Sequence, residues 1–236
     1  MVFIVAEIGV NWDGDYELLK QIMHELKLLG LSAVKFQAFT FEMVKDHTES
    51  KRLMNSSITK ENVGKINDIA QEIEIDWFCT PMYPDAVDFL DGFVSRYKIR
   101  EFDGRKIIQS NQTDLFQTIY KKHKDIFISS ETIPVNCTFY NDPYIKWLYC
   151  VPKYPCSFDE IDFSLLKHFD GFSNHCNSIE APIRALHEGI EILEIHITSD
   201  KTKDFVDNNV SFDYNEIEEL IGMIRLSERI KNRYTY

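Results

Sequence analysis

Short apolar runs and helical periods take turns along this chain from its first residues almost to its last, and that alternation constrains the fold more than any other feature. Residues 2–8 are rich in β-branched side chains, and the turn Asn11-Trp12-Asp13-Gly14 ends the run. A helix capped by Asp15 should follow, because Leu18, Leu19, Ile22, Met23, Leu26 and Leu29 recur at three- and four-residue spacing and Gly30 stops them. The same reading places strands at 32–37, 76–80, 96–99, 125–129, 145–151, 171–173 and 191–198. Helices are expected over 59–74, 84–94, 114–122, 162–168 and 178–189. A last helix begins at Asp213, where Glu216 completes a capping box. Residues 40–57 read as a long loop, and 131–144, broken by Pro134 and Pro143, as irregular chain. Eight short strands with helices between them predict a (β/α)8 TIM barrel, with a doubly wound open sheet as the alternative.

Composition agrees with one domain over residues 1–236. At 44% hydrophobic, the chain can bury a single substantial core. Its formal charge of −12 argues against nucleic acid and anionic membranes as partners. An anionic substrate would therefore need a local cluster of Lys, Arg or backbone amides. No apolar run approaches the ~20 residues that cross a bilayer. Met1 leads straight into the first strand-like run, without the charged start of a signal peptide. Cys79, Cys137, Cys150, Cys156 and Cys176 form an odd set without a close CxxC pair, as expected of reduced thiols. A cytoplasmic location is the expectation.

Polar residues gather at the predicted strand ends. Glu7 closes the first strand; Lys35 and Gln37 share one face of the second. Thr80, Lys98 and Ser129 fall on the third, fourth and fifth. Ser173 and His175 end the seventh, and Glu194 and His196 share a face of the eighth. A helical stretch joins the last two strands, so both imidazoles would stand at the C-terminal ends of adjacent parallel strands. Catalytic groups collect at that edge of a barrel, and two neutral imidazoles there suit a divalent metal. Inward lysines are costly without an anion, which suggests a phosphate or carboxylate ligand. Each residue also has a plainer role: a core histidine with a hydrogen bond, a structural ion pair, a rigid turn at Tyr154-Pro155, a lid at Trp12. His24, His47, His123, His168 and His187 read as surface or packing residues.

In order along the chain, these strings resemble one family. Ala6-Glu7-Ile8-Gly9-Val10-Asn11 followed by Gly14, Val34-Lys35-Phe36-Gln37, Cys79-Thr80-Pro81 and Tyr97-Lys98-Ile99 resemble the first four strand motifs of the sialic acid synthase (N-acetylneuraminate synthase) family. Tyr154-Pro155, Gly171-Phe172-Ser173-Asn174-His175 and Glu194-Ile195-His196-Ile197-Thr198 are similar to its later motifs. The resemblance implies a TIM barrel that condenses phosphoenolpyruvate with an open-chain sugar aldehyde, releasing phosphate and a 2-keto-3-deoxy (nonulosonic-type) sugar acid. That is a transferase reaction in carbohydrate biosynthesis. It implies His175 and His196 as ligands of Mn²⁺, or of Mg²⁺ or Co²⁺, with water and substrate oxygens completing the shell. It places Lys35, Thr80, Lys98, Ser129, Ser173 and His175 around phosphoenolpyruvate. Gln37, Tyr154, Glu194 and Asp207 would face the acceptor, and Glu7 the reacting carbons.

The chain departs from that pattern at several positions. Trp12 stands where the family has His, and Glu101 where it has a Ser hydroxyl. Ser129-Ser130-Glu131 replaces Ser-Thr-Gly, Tyr149 a His, Pro152 an Asn and Ile195 a Lys. Trp12, Glu101, Glu131 and Pro152 would thus alter the phosphoenolpyruvate half of the site. The C-terminal antifreeze-like domain usual in the family is not expected within residues 1–236, which points away from N-acetylmannosamine as acceptor. A homodimer or a separate cap subunit is the corresponding expectation. Two rival readings are an aldolase with a changed donor, such as pyruvate, and a catalytically silent barrel that binds a sugar or a partner.

Overall fold

The structure, a computed structural model, describes residues 1–110 and 112–234. Eight runs of β-branched and aromatic residues form parallel strands: β1 (Phe3–Glu7), β2 (Ala33–Ala38), β3 (Asp76–Pro81), β4 (Arg96–Ile99), β5 (Asp125–Ser130), β6 (Ile145–Tyr149), β7 (Gly171–Asn174) and β8 (Ile192–His196). They pair in chain order, and β8 pairs back onto β1, closing the barrel. The predicted (β/α)8 architecture is the one observed, and the open sheet is excluded by that closing pair.

Alternation along each strand sorts the side chains. Phe3, Phe78 and Phe127 come from β1, β3 and β5, which are not neighbours, so their rings can meet only across the barrel interior. Their centroids lie 6.0 and 5.7 Å apart, and the Arg96 guanidinium sits over all three rings. This aromatic plug fills the N-terminal end of the barrel. The opposite strand faces look outward to the helices: Phe36 packs between Trp12 and Trp77.

The helices are α1 (Tyr16–Leu29), α2 (Phe41–Val44), α3 (Ser50–Ser56), α4 (Val63–Ile73), α5 (Pro84–Leu90), α6 (Glu101–Ile108), α7 (Asp114–Tyr120), α8 (Glu180–His187) and α9 (Tyr214–Tyr234). In α1 the Asp15 carboxylate accepts from the N–H groups of Glu17 and Leu18, and Gly30, at φ 85°, takes the left-handed cap that closes the C-terminus. Leu19, Ile22, Met23 and Leu26 form its buried stripe; full burial of each is worth about 1.5–3 kcal/mol.

Four expectations need correction. Residues 40–57 contain α2 and α3, the latter anchored by buried Leu53 and Ser56. Residues 162–168 form a 3₁₀ turn, Phe163–His168, preceded by another at Phe158–Glu160. Helix α6 had no counterpart in the sequence reading. Its apolar residues are few, and it is held by acids in its first turn, bases in its last, and close packing at Gly104. Trp12 is no lid: it is fully buried on the outer side of the sheet, against Tyr16 and Phe36. Residues 131–144 contain no regular helix, as expected. All five cysteines are buried and free. Among the described residues no helix is long and apolar enough to cross a membrane.

Gly104 fixes how α6 meets the barrel. A Cβ there would lie 2.1 Å from the backbone carbonyl oxygen of Ser129 and 2.9 Å from Ile128 Cγ2. Neither backbone can yield without moving helix or strand. Gly104→Ala should therefore lower stability by about 1–3 kcal/mol in urea unfolding, despite alanine's better helix propensity. An unchanged or raised midpoint would show that α6 is not pressed onto β5.

Candidate active site

Because alternation points every second residue inward, the C-terminal ends of the strands surround a cavity of about 420 Å³. Glu7, Lys35, Gln37, Thr80, Lys98, Ser129, Tyr154, Ser173, His175, Glu194, His196 and Asp207 all line it. Every site residue named from the sequence is thus brought to one place.

Four buried charges occupy its floor. In register, Glu7 lies between Lys35 on β2 and His196 on β8. Glu7 Oε2 pairs with Lys35 Nζ at 2.8 Å, and its Oε1 accepts from Gln37 Nε2 at 2.6 Å. Lys98 Nζ donates to both oxygens of Glu194, at 2.8 and 2.7 Å, and Ser173 Oγ donates to Glu194 Oε1 at 2.7 Å. Lys35 also donates to Thr80 Oγ1 at 3.1 Å and stands 3.8 Å from Glu194. The anion that each inward lysine requires is therefore a carboxylate of the protein itself.

Burial and pairing set the protonation states. For Glu194 burial acts upward, but Lys35 and Lys98 outweigh it and hold the carboxyl well below its usual range. Burial lifts the Glu7 carboxyl above its ordinary value despite Lys35. Burial pushes the Lys98 ammonium down; the carboxylates of Glu194 and Glu7 overcome the same penalty at Lys35 and raise it. Asp207 is raised to about 6 by burial and by the Glu7 charge. Burial depresses both imidazoles, His175 to about 4 and His196 further, so both are neutral at pH 7.

The two rings stand edge to face with centroids 5.4 Å apart. His175 Nδ1 lies 2.8 Å from the Val151 carbonyl, which can only accept, so the proton is on Nδ1. The Nε2 lone pair then faces the cavity and receives the Tyr154 hydroxyl at 2.8 Å. A backbone carbonyl holding one nitrogen while the other stays basic is the arrangement of metal-ligating histidines. His196 Nδ1 is buried without a hydrogen-bond partner among the described residues; Asp207 Oδ2 is 3.6 Å away. These two nitrogens fit a divalent ion. Among the described residues no three His, Cys, Asp or Glu side chains form a preformed metal cluster, so water or substrate oxygens would have to complete the shell.

Asp207 arrives on the loop after β8. Fully buried Asn11 donates to Ile197 O at 2.8 Å and to Ser211 Oγ at 3.0 Å, and its Oδ1 accepts from Asp207 N–H at 3.0 Å. The β1 turn thereby fixes the loop that carries Asp207.

The positions that break the family pattern fall in two groups. Glu101 and Pro152 line the cavity. Trp12, Tyr149 and Ile195 are buried and do not line it; Trp12 packs on Tyr16 and Phe36, and Tyr149 on Phe169 and Phe172. Glu131 is exposed outside it. Of Trp12, Glu101, Glu131 and Pro152, only Glu101 and Pro152 reach the cavity. The sequence reading missed Arg100, Arg105, Cys150 and Met82 as lining residues. Arg100 and Cys150 continue the inward parity of Lys98 and Leu148, a signal that alternation alone carries.

Residues 22–235 match the NeuB family. The chain belongs to that family. The N,N'-diacetyllegionaminic acid synthase of Legionella pneumophila is 25% identical over 266 residues, spanning 97% of this NeuB-family chain and 72% of that protein. The pseudaminic acid synthase of Campylobacter jejuni is 26% identical over 259 residues, 96% of this chain and 74% of its own. The solved N-acetylneuraminic acid (sialic acid) synthetase of Leptospira borgpetersenii, 24% identical, superposes with a TM-score of 0.83 over 100% of this chain and 85% of that one. That likeness shows a shared fold, and the two sequence relatives named above are acid synthases.

Removing one member of the buried pairs should be costly. Lys98→Met strands the Glu194 carboxylate, and we expect a loss of about 3–5 kcal/mol in urea unfolding. Adding Glu194→Leu should recover much of that loss. A single variant as stable as the parent would show that the pair is not closed in solution.

Proposed function

We propose that this chain condenses phosphoenolpyruvate with the open-chain aldehyde of a sugar, yielding a 2-keto-3-deoxy acid and phosphate. The observation that carries the reading is the meeting of the Glu7–Lys35–Glu194–Lys98 network with two neutral imidazoles at the C-terminal mouth of a NeuB-family barrel. Stability alone does not account for four buried charges: apolar replacement of a buried ion pair is often neutral or stabilising by about 1–4 kcal/mol. Perturbed ionisable groups in a cleft mark chemistry.

In the reaction, C3 of the enol phosphate bonds to the aldehyde carbon as the carbonyl π pair moves onto oxygen, which takes up a proton, and positive charge develops at C2. Water adds at C2, and the C2–O bond to phosphate breaks as the keto acid forms. Lys35 and Lys98, already charged and held in place, offset the negative charge of the donor without reorganising. Glu7 sits beside Lys35 and Gln37, where its carboxylate stabilises cationic C2 or takes a proton from the attacking water at Oε2. Gln37, Tyr154, Glu194 and Asp207 would order the sugar, and Thr80, Ser129 and Ser173 the donor. A divalent ion on His175 and His196, with Mn²⁺ as first choice and Mg²⁺ or Co²⁺ as alternatives, would supply Lewis-acid polarisation of the aldehyde oxygen.

The test is phosphate release from phosphoenolpyruvate with Mn²⁺ over a panel of sugar aldehydes, with product masses recorded. We expect release that depends on the acceptor, and a product equal to sugar plus pyruvate. Metal-loaded protein that releases no phosphate with any acceptor would refute the reading. His175→Ala and His196→Ala should each abolish bound Mn²⁺, read by atomic absorption after gel filtration, and turnover with it. Lys35→Ala should raise the KM for phosphoenolpyruvate; unchanged donor kinetics would remove Lys35 from the site.

A further inference from the structure

At the floor of the cavity both lysines are already paired with carboxylates. Among the described residues four cations line it, Lys35, Lys98, Arg100 and Arg105, matched by four carboxylates, Glu7, Glu101, Glu194 and Asp207. The two lysines are buried and held at 2.7–2.8 Å by carboxylates that are buried with them. The two arginines differ. Their side chains are 40% and 45% exposed, and among the described residues each ion pair is a local one at α6: Arg100 Nε with Asp103 Oδ2 at 2.9 Å, Arg105 Nη2 with Glu101 Oε2 at 3.3 Å. Exposed pairs of this kind are worth about 0–1 kcal/mol, so either guanidinium can change partner at little cost. Among the described residues, Arg100 Nη1 donates to the thioether of Met82, at 3.4 Å, a weak acceptor.

Two further features face the same spot. Both guanidinia lie over the ring of Phe102, at 5.1 and 5.4 Å, and that ring, 48% exposed, also lines the cavity. Ser129 Oγ is buried, lines the cavity and has no hydrogen-bond partner among the described residues. It lies at the end of β5, where Gly104 presses α6 against the strand, so the arginines and the unpartnered hydroxyl belong to one side of the mouth. A planar guanidinium fork and a hydroxyl are the groups that recognise a phosphate monoester.

We propose that Arg100, Arg105 and Ser129 Oγ form the phosphate subsite of this cavity, and that the incoming phosphate dianion displaces Glu101 from Arg105. This rests on the donor reading above and adds to Ser129, which the resemblance already places near the donor, two arginines that the family motif does not supply. Glu101 stands where the motif has a hydroxyl. Its carboxylate holds Arg105 in the free protein and must give way when the dianion enters.

Isothermal titration of the full chain with phosphoenolpyruvate, inorganic phosphate and a hexose 6-phosphate tests the assignment. Arg100→Ala and Arg105→Ala should each weaken phosphoenolpyruvate and inorganic phosphate by about tenfold, the scale of one charged hydrogen bond. Glu101→Gln should tighten both several-fold, a gain that misfolding cannot mimic. Arg184→Ala, which removes a cation paired with Glu188 on α8, should leave both affinities unchanged. Parental affinity in the Arg100, Arg105 and Glu101 variants would overturn this inference and leave the function standing. A loss confined to the hexose 6-phosphate would overturn it by assigning the arginines to the acceptor. A parent protein that binds neither phosphoenolpyruvate nor inorganic phosphate would overturn the functional reading together with this one.

Discussion

Everything at the mouth of this barrel depends on four charges that are almost wholly buried. An isolated carboxylate or ammonium at that depth would cost several kcal/mol, so Glu7, Lys35, Lys98 and Glu194 are tolerable only as a closed set. Strand geometry closes it. Glu7 lies level with Lys35 on one neighbour and His196 on the other, and Ser173 lies level with Glu194. The Phe3–Phe78–Phe127 plug below fills the other end of the barrel, so the set opens toward the cavity.

This divides the cavity by depth. The floor holds positioned, mutually neutralising charge and the two neutral imidazoles. The rim at α6 holds looser, exchangeable charge. Rigid dipoles suit a transition state, since they need not reorganise. Loose pairs suit capture of an anion by a protein whose overall charge is −12 and whose wider field repels it.

Alternation made much of this legible in the sequence. A period of two, carried through eight strands, put Glu7, Lys35, Gln37, Lys98, Glu194 and His196 on the inner face, and the structure finds them there. What alternation cannot show is who meets whom across the barrel: Lys98 and Glu194 bond over 96 residues of sequence. Hence the lysines read as awaiting a ligand when they already hold carboxylates. Trp12 was misplaced because a turn residue has no strand parity to assign it a side. Helix α6 was missed because Phe102, Ile107 and Ile108 give too short an apolar stripe, and its place is set by a glycine against a carbonyl.

The hydrogen bonds of Asn11 have one more consequence. They cross the seam where the first strand meets the last, as does the pairing of Glu7 with His196. Chain segments from opposite ends of the sequence must find each other before this corner exists, and such distant pairings form late and slowly. A nascent or partly unfolded molecule, however much of its helix and sheet is in place, carries half a reaction centre on each of two separated edges. The site's assembly therefore reports ring closure: Glu7 and His196 become neighbours only when the first strand pairs with the last.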